Sequence, residues 1–310
     1  MKIVFMGTPQ FACAPLTALH NSEHTIAAVV TGPDKPAGRG KNLRPTAVKE
    51  LAEQFALPVL APESLKSEDF YLKLKEISPD LIVVVAFRIL PERIFALPKF
   101  GSLNIHGSLL PKYRGAAPIQ WALINGEKET GLTSFLLKSK VDTGDIILQQ
   151  KTNIDDNENF DSLYKRLSEM AGQFLLDSIK KIESKDFEPV SQDETLSTPA
   201  PKLKSADALL DFEKSAVKVH NLIRGLATRP GAFTFFRGKK VKIYASKLSD
   251  KTCEHSAQPG FILPDKSELL VQCDKSVLEL TELLPEGKKV MDGRSFINGY
   301  RLKSGESFNQ

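Results

Sequence analysis

The sequence predicts an α/β fold with a mostly parallel, Rossmann-like sheet, followed by a smaller β-rich domain. Short apolar runs alternate with helical patterns through the first half of the chain, which is typical of parallel sheets. The last third instead carries short strands separated by Gly and Pro, which indicates a small β-barrel. A chain of 310 residues is also long enough for about two hydrophobic cores.

The elements of the first part follow one another in order. Apolar runs predict strands at 2–7, 25–32, 58–62, 80–87 and 101–106. Helical spacing predicts helices at 9–21, 46–57, 67–78 and 117–126 between or after these strands. Two strands around a turn at 141–145 and a long amphipathic helix at 159–184 complete this part.

The predicted domain boundaries follow a change in composition. Residues 1–188 form the first domain, and residues 189–205 are rich in Pro, Ser and Thr, which suits a linker. Residues 206–310 form the small barrel, with a single helix expected at 215–227.

Positive charge is concentrated in this last part. Residues 205–310 hold 17 Lys and Arg against 13 Asp and Glu, whereas the rest of the chain has 25 of each. Such an excess fits contact with a polyanion, and it equally fits an ordinary solvated surface.

Cysteine use and hydropathy predict a cytoplasmic protein that does not enter a membrane. Cys13, Cys253 and Cys273 lie far apart without a C-x-x-C pair, as in a reduced protein without a zinc knuckle. The longest apolar run, at 81–87, is far shorter than a membrane span, and the apolar start is too short for a signal peptide.

The loop after the first strand, GTPQFA, argues against two common classes of enzyme. It lacks the G-x-G-x-x-G pattern of nicotinamide-binding domains, and no phosphate-binding G-x-x-x-x-G-K-[ST] loop occurs in the chain. Neither hydride transfer nor phosphoryl transfer is therefore expected.

Asn104 and His106 are the first candidates for chemistry. Residues two apart on a strand face the same side, so both point together at the carboxyl end of the strand 101–106. An amide can stabilise an oxyanion, and a histidine can transfer a proton near neutral pH. The alternative is that both side chains only bond to the turn that follows.

A second polar segment, VDTGDI at 141–146, offers Asp142 and Asp145. Asp142 could orient His106 through its other ring nitrogen. The two acids could instead belong to a turn in which Gly144 supplies positive φ. A metal site is not expected, because no histidine accompanies them.

The loop 32–45 is longer than is usual between a strand and a helix. Its cations are Lys35, Arg39, Lys41 and Arg44, against the single acid Asp34. Pro and Gly suggest an extended, mobile loop. Its charge favours phosphates as a ligand, although a solvated loop has the same composition.

Together these segments resemble the formyltransferases that use 10-formyltetrahydrofolate. The resemblance rests on NIHGSLLPKYRGAAPIQ followed by VDTGDI. GTPQFA, PDKPAGRGK and QDETLSTPAPKL narrow it to the branch that formylates methionyl-tRNA, over nearly the whole chain. One departure is AFRILP, where Arg88 replaces an expected Gly in a segment one residue shorter.

The resemblance implies a catalytic trio of Asn104, His106 and Asp142, and an OB-like fold for the C-terminal barrel. It implies 10-formyltetrahydrofolate as formyl donor, initiator Met-tRNA as acceptor, and no metal. A monomer is expected. The folate would contact two segments: Phe87, Arg88, Ile89 and Leu90, and Ser108, Leu109, Leu110 and Pro111. The tRNA would contact Lys35, Arg39, Lys41 and Arg44, with Arg39 the leading candidate.

Two rival functions share some of these features. A relative with another amine acceptor, such as glycinamide ribonucleotide or an amino-sugar nucleotide, would keep the trio without obviously needing a basic C-terminal domain. A tRNA-binding protein with a decayed catalytic half would not be expected to keep the trio intact.

Overall fold

The structure is a computed structural model that describes residues 1–37, 42–184, 188–251, 258–263 and 265–308. Its strands are β1 Lys2–Gly7, β2 Thr25–Val30, β3 Lys35–Ala37, β4 Asn42–Arg44, β5 Val59–Leu60, β6 Leu81–Val85, β7 Ser102–His106, β8 Glu129–Leu136, β9 Ile146–Asn153, β10 Ala232–Phe236, β11 Lys239–Ser249, β12 Leu270–Cys273, β13 Ser276–Pro285 and β14 Met291–Asp292. Its helices are α1 Cys13–His20, α2 Ala47–Gln54, α3 Glu68–Ile77, α4 Glu92–Phe95, α5 Pro118–Ile124, α6 Phe160–Ser184, α7 Ala216–Leu226 and α8 Gly293–Tyr300.

The chain divides into two units. The first contains Met1–Pro118, Thr130–Thr152 and Tyr164–Ala200. The second contains Ile119–Glu129, Asn153–Leu163 and Pro201–Gln310. The boundaries expected from composition, at 188 and 205, stay a prediction.

A seven-stranded sheet in the order β5-β2-β1-β6-β7-β8-β9 forms the framework of the first unit. The pairs from β5 to β7 are parallel, and β8 runs antiparallel to β7. All five residues of β6 are buried because helices cover such parallel strands on both faces. This arrangement confirms the predicted Rossmann-like sheet, and it brings the carboxyl ends of β1, β6 and β7 to one edge.

The second unit is built on antiparallel strands in the order β10-β11-β13-β12, with β14 paired to β13. Its core includes Phe212, Phe236, Phe296 and Phe308, all nearly inaccessible to solvent. These strands confirm the predicted small β domain.

Helix α7 holds the segment 153–163 within the second unit. The buried Arg224 donates to the carbonyls of Asp155 and Glu158, both at 3.2 Å, and its Nε donates to Asn221 at 2.8 Å. Burial lowers the pKa of Arg224, and the hydrogen bonds to these three oxygens offset the cost of burying a guanidinium. A cut at residue 205 would therefore leave Arg224 without the two carbonyls that it binds.

Three sequence expectations were wrong in detail. Among the described residues of 206–310 there are two α-helices rather than the one expected, because a second helix, α8, is capped by Asp292, whose side chain accepts from the Ser295 amide. The run GFILP at 260–264 has the composition of a short strand, yet Phe261 and Ile262 form only isolated bridges. The segment 32–45 was expected to be a loop, yet the short strands β3 and β4 within it pair as a hairpin, with Lys35 opposite Arg44.

Candidate active site

Asn104 and His106 stand at the carboxyl end of β7, between β6 and β8. Asn104 pairs in register with Val84 on β6 and Phe135 on β8, and His106 pairs with Thr133. The apolar neighbours bury His106 to 6% exposure, whereas Asn104 is half-buried. Both residues lie on β7 two positions apart, so their side chains face the same side of the sheet, as the sequence predicted.

His106 bonds to the turn that follows it, and Asn104 does not. His106 Nε2 lies 2.8 Å from the Tyr113 carbonyl, which can only accept, so Nε2 carries the proton. Among the described residues, no group hydrogen-bonds to the side-chain amide of Asn104. His106 thus bonds to the turn, as the alternative expected of both residues. Asn104 does not, so its amide is available to a ligand.

Asp142 approaches the other nitrogen of the same ring. Its Oδ2 lies 3.9 Å from His106 Nδ1, which is an electrostatic contact and too long for a hydrogen bond. The same oxygen accepts from the Gly115 amide at 2.9 Å, and the Asp142 side chain is 14% exposed. Asp142 therefore joins the loop after β7 to the loop after β8, with its charge facing the imidazole.

The turn around Asp142 differs from the one expected. Asp142 itself has positive φ, at 54°, whereas Gly144 does not. Gly144 is needed for close packing, because a Cβ there would lie 1.7 Å from the Leu136 carbonyl oxygen. Asp145 is engaged elsewhere: its hydrogen bond from Lys138, at 2.8 Å, lowers the pKa of the Asp145 carboxyl.

The loop Ser108 to Pro111 is held by hydrogen bonds with the side chain of Thr133 on β8. Thr133 Oγ1 donates to the Ser108 carbonyl at 2.7 Å and accepts from the Leu110 amide at 3.0 Å. Ser108 and Leu110 are buried, whereas Leu109 and Pro111 are half-buried. Leu109 and Pro111 are therefore the members of this predicted folate segment that can touch a ligand.

The segment after β6 likewise contains both exposed and buried residues. Ile89 is 76% exposed and Phe87 is half-buried, whereas Leu90 packs into the core of the first unit. Arg88 turns away to donate to the carbonyls of Pro62 and Glu63, at 2.8 and 2.9 Å. The unexpected arginine thus fastens this segment to the connection between β5 and α3.

Within the predicted basic loop, β3 and β4 form a hairpin that is clamped at its base. Asp34 pairs with Lys49 on α2 at 2.8 Å, and the hydroxyls of Thr31 and Thr46 lie 2.7 Å apart. Lys35 and Arg44 are exposed along the hairpin. The other two predicted tRNA contacts, Arg39 and Lys41, lie outside the described residues.

The second unit presents a surface of aromatic rings and lysines on β10 and β11. Lys240 Nζ lies 3.6 Å from the centroid of the Phe233 ring, and Phe235 is 39% exposed beside it. Lys239 is exposed at the start of β11. Rings combined with cations in this way are typical of surfaces that bind nucleic acid.

Glu23, His24 and Glu183 are the described residues that could offer three ligand atoms to a metal ion. His24 Nδ1 already lies 3.3 Å from the terminal amine and 3.7 Å from Glu183. The terminal ammonium can donate to His24 and pairs with Glu183 at 3.7 Å, so two of the three residues are engaged by a protein cation.

Comparison with known proteins identifies the family. The sequence matches the formyl transferase family over residues 1–179 and the family's C-terminal domain over residues 202–301. The chain belongs to the formyl transferase family. Methionyl-tRNA formyltransferase of Thermodesulfovibrio yellowstonii is 42% identical over 309 residues, which cover 99% of each chain.

Solved formyl transferases share the fold. A sugar 3N-formyl transferase solved with dTDP and 5-N-formyl-THF has a TM-score of 0.69 at 19% identity, covering 93% of this chain and 99% of its own. Methionyl-tRNA formyltransferase from Clostridium thermocellum has a TM-score of 0.56 at 19% identity, covering 81% and 94%. The predicted formyl transferase family, its enzymatic class and its fold are confirmed. Among the described residues, no helix has the length and apolarity to span a membrane.

Sequence reasoning missed the contacts that the segment after residue 188 makes with the candidate site. Gln192 donates to the carbonyls of Asp142 and Gly144, and Thr198 accepts from the Tyr113 amide at 2.9 Å. The Pro, Ser and Thr content of this segment indicated a linker. Nothing local in the sequence indicates which distant loop the segment contacts.

Proposed function

We propose that this protein transfers the formyl group of 10-formyltetrahydrofolate to the α-amine of methionine on initiator Met-tRNA. The observation that carries the proposal is the 42% identity to a methionyl-tRNA formyltransferase over 99% of both chains, which includes the C-terminal unit. The placement of Asn104, His106 and Asp142 at one sheet edge supports it.

The reaction needs no covalent enzyme intermediate, because the amine is the nucleophile. Its nitrogen attacks the formyl carbon, the bond to N10 of the folate breaks, and one amine proton is passed on so that tetrahydrofolate leaves. Free α-amines have a pKa of about 7.7–8.0, so a neutral, reactive fraction exists near pH 7.

We assign the oxyanion of the tetrahedral intermediate to Asn104. Its amide makes no hydrogen bond to the described protein, so no internal contact has to break before it donates to the substrate. Removal of one such donor typically costs about 2.7–4 kcal/mol of transition-state stabilisation. This assignment gives the polar end of β7 a chemical role.

His106 and Asp142 act together in this proposal. The Tyr113 carbonyl fixes the ring through Nε2, which leaves Nδ1 facing the Asp142 carboxylate at 3.9 Å. The carboxylate charge stabilises an imidazolium, so His106 can take up the proton released by the attacking amine. We further assign to Asp142 the positioning of a water that relays this proton.

The folate lies against the exposed parts of two segments. Ile89, Phe87, Leu109 and Pro111 offer apolar contact, and Arg88 contributes by fastening the first segment. Leu90, Ser108 and Leu110 shape the site from within. No metal ion takes part in this scheme.

The tRNA is held by both units. Lys35, Arg39, Lys41 and Arg44 of the basic segment 32–45 contact the acceptor arm, and the aromatic and basic surface of β10 and β11 adds a second contact. In this division of labour, residues 1–188 carry catalysis, residues 189–205 connect, and residues 206–310 bind tRNA. Each contact releases counterions, so binding should weaken with salt.

Cytoplasmic location and a monomeric state belong to the same proposal. Cys13 and Cys273 are unpaired and buried, as suits a reducing compartment, and burial raises the pKa of Cys273 to about 12. Light scattering after gel filtration should give a mass near 34.2 kDa. A mass twice as large would contradict the monomer.

The test offers the purified protein several amine acceptors with the same formyl donor. Met-tRNA, glycinamide ribonucleotide and an amino-sugar nucleotide are compared by kcat/KM. The proposal expects Met-tRNA to exceed the others by orders of magnitude. Preference for either small acceptor would replace it with a rival enzyme function, and no formylation of any acceptor would favour a binding protein.

A further inference from the structure

Residues 190–200 run back across the first unit, and we call this segment the strap. Val190 pairs with Ile146 at one end, and Pro199 forms a bridge with Arg114 at the other. Backbone bonds from Arg114 to Thr198, and between Ala200 and the loop after β7, fasten it further. The strap therefore touches both loops that contribute to the trio.

Gln192 lies near the start of the strap, and both the nitrogen and the oxygen of its side-chain amide make hydrogen bonds. Its Nε2 donates to the carbonyl of Asp142 at 3.0 Å and to that of Gly144 at 2.8 Å. Its Oε1 accepts from Nε and Nη2 of Arg114, at 3.1 and 2.8 Å. The orientation of the amide is fixed by chemistry, because arginine can only donate and the carbonyls can only accept.

Arg114 is in turn held by an acid of the strap. Its side chain is 10% exposed and forms a two-pronged contact with Glu194, at 3.0 and 2.8 Å. This hydrogen bonding lowers the pKa of Glu194 to about 2 from an ordinary value of 4.5. The contact is thus fully present above pH 4.5 and is lost only as the pH falls toward 2.

The hydrogen bonds from Gln192 hold a turn whose backbone conformation is unfavourable at Asp142. Asp142 has φ of 54°, a left-handed conformation that Asp tolerates but does not favour. Gln192 binds the carbonyls on either side of Thr143, so it fixes the turn from which the Asp142 carboxylate reaches toward His106.

We propose that Gln192 is a positioning residue for formyl transfer, which holds Asp142 against His106 through the Arg114–Gln192 contact. The inference rests on the proposed function. It assigns a catalytic task to a segment whose composition resembles a plain linker, and it predicts that the strap belongs to the active site.

The experiment compares Gln192→Glu and Gln192→Ala with the wild-type full chain. Gln192→Glu keeps the shape and the acceptance from Arg114 but replaces both donations with repulsion between oxygens. Gln192→Ala removes the same donations without that repulsion, and it covers the case in which the Glu variant does not fold. Gln173→Glu, an exposed glutamine on α6, is the matched control.

Two readouts separate positioning from a merely structural role. Steady-state kinetics should show kcat reduced by about 10–100-fold with KM for both substrates little changed, as for partners that orient a reacting group. The ¹⁵N shifts of the His106 ring, identified by their loss in His106→Gln, should move in both Gln192 variants. Neither readout should change in Gln173→Glu.

Wild-type kcat in both folded variants would overturn the proposal. So would an unmoved His106 ring together with a loss of activity that merely follows a lowered Tm. The wild-type protein tests the underlying function separately. If it formylates no Met-tRNA, the proposed function fails, while the ring shifts still decide whether Gln192 positions Asp142 against His106.

Discussion

Asn104→Ala gives the sharpest prediction, because activity and stability should respond very differently. The amide makes no hydrogen bond to the described protein, so its removal leaves no internal donor or acceptor unpaired. Asn104 is half-buried, and the unfolding free energy should change by less than about 1 kcal/mol. The lost oxyanion donor should instead cost about 2.7–4 kcal/mol, equivalent to about 10²–10³ in kcat.

The assay follows formyl-Met-tRNA formation at saturating folate and tRNA, beside urea unfolding of the same samples. Asn21→Ala is the matched control, since Asn21 is exposed at the end of α1 and should change neither quantity. A kcat within threefold of wild type in folded Asn104→Ala, on the order of 0.6 kcal/mol, would refute the oxyanion assignment.

Further predictions follow from the other contacts. His106→Ala should reduce turnover about a hundredfold or more, and urea unfolding should show a loss of about 1–3 kcal/mol because the Tyr113 carbonyl loses its donor. Asp142→Asn should reduce kcat about a hundredfold while urea unfolding changes little; unchanged kcat would remove Asp142 from the mechanism. Arg39→Ala should raise KM for Met-tRNA far more than KM for folate, and equal effects would contradict the hairpin assignment. Converting both Lys239 and Lys240 to Gln should reduce the salt dependence of tRNA binding by about 2 in slope, and an unchanged slope would rule out their contact with phosphates.

The parallel sheet was predictable from the sequence because its strands are buried on both faces. Runs such as LIVVV at β6 have few alternatives once helical patterns lie on either side. The shared side of Asn104 and His106 also followed from local geometry, since the period of a strand is fixed.

Long-range contacts were not predictable in this way. Gln192 and Asp142 are 50 positions apart, and only the folded chain brings the strap beside the turn. The pairing of β3 with β4 was missed because the Pro and Gly content of the segment 32–45 is typical of irregular loops. The turn was misjudged at Gly144 because a glycine needed for close packing looks the same in sequence as one needed for positive φ.

A single turnover with a labelled formyl group measures whether this protein formylates Met-tRNA and whether Asn104 accelerates the transfer. The wild-type protein is mixed with Met-tRNA and 10-formyltetrahydrofolate labelled in the formyl group, and the product is quenched and hydrolysed. Label is expected on the α-amine of methionine, with a rate about 10²–10³ lower in Asn104→Ala. Label that stays on the folate in the presence of Met-tRNA, or the same rate in both proteins, would contradict it.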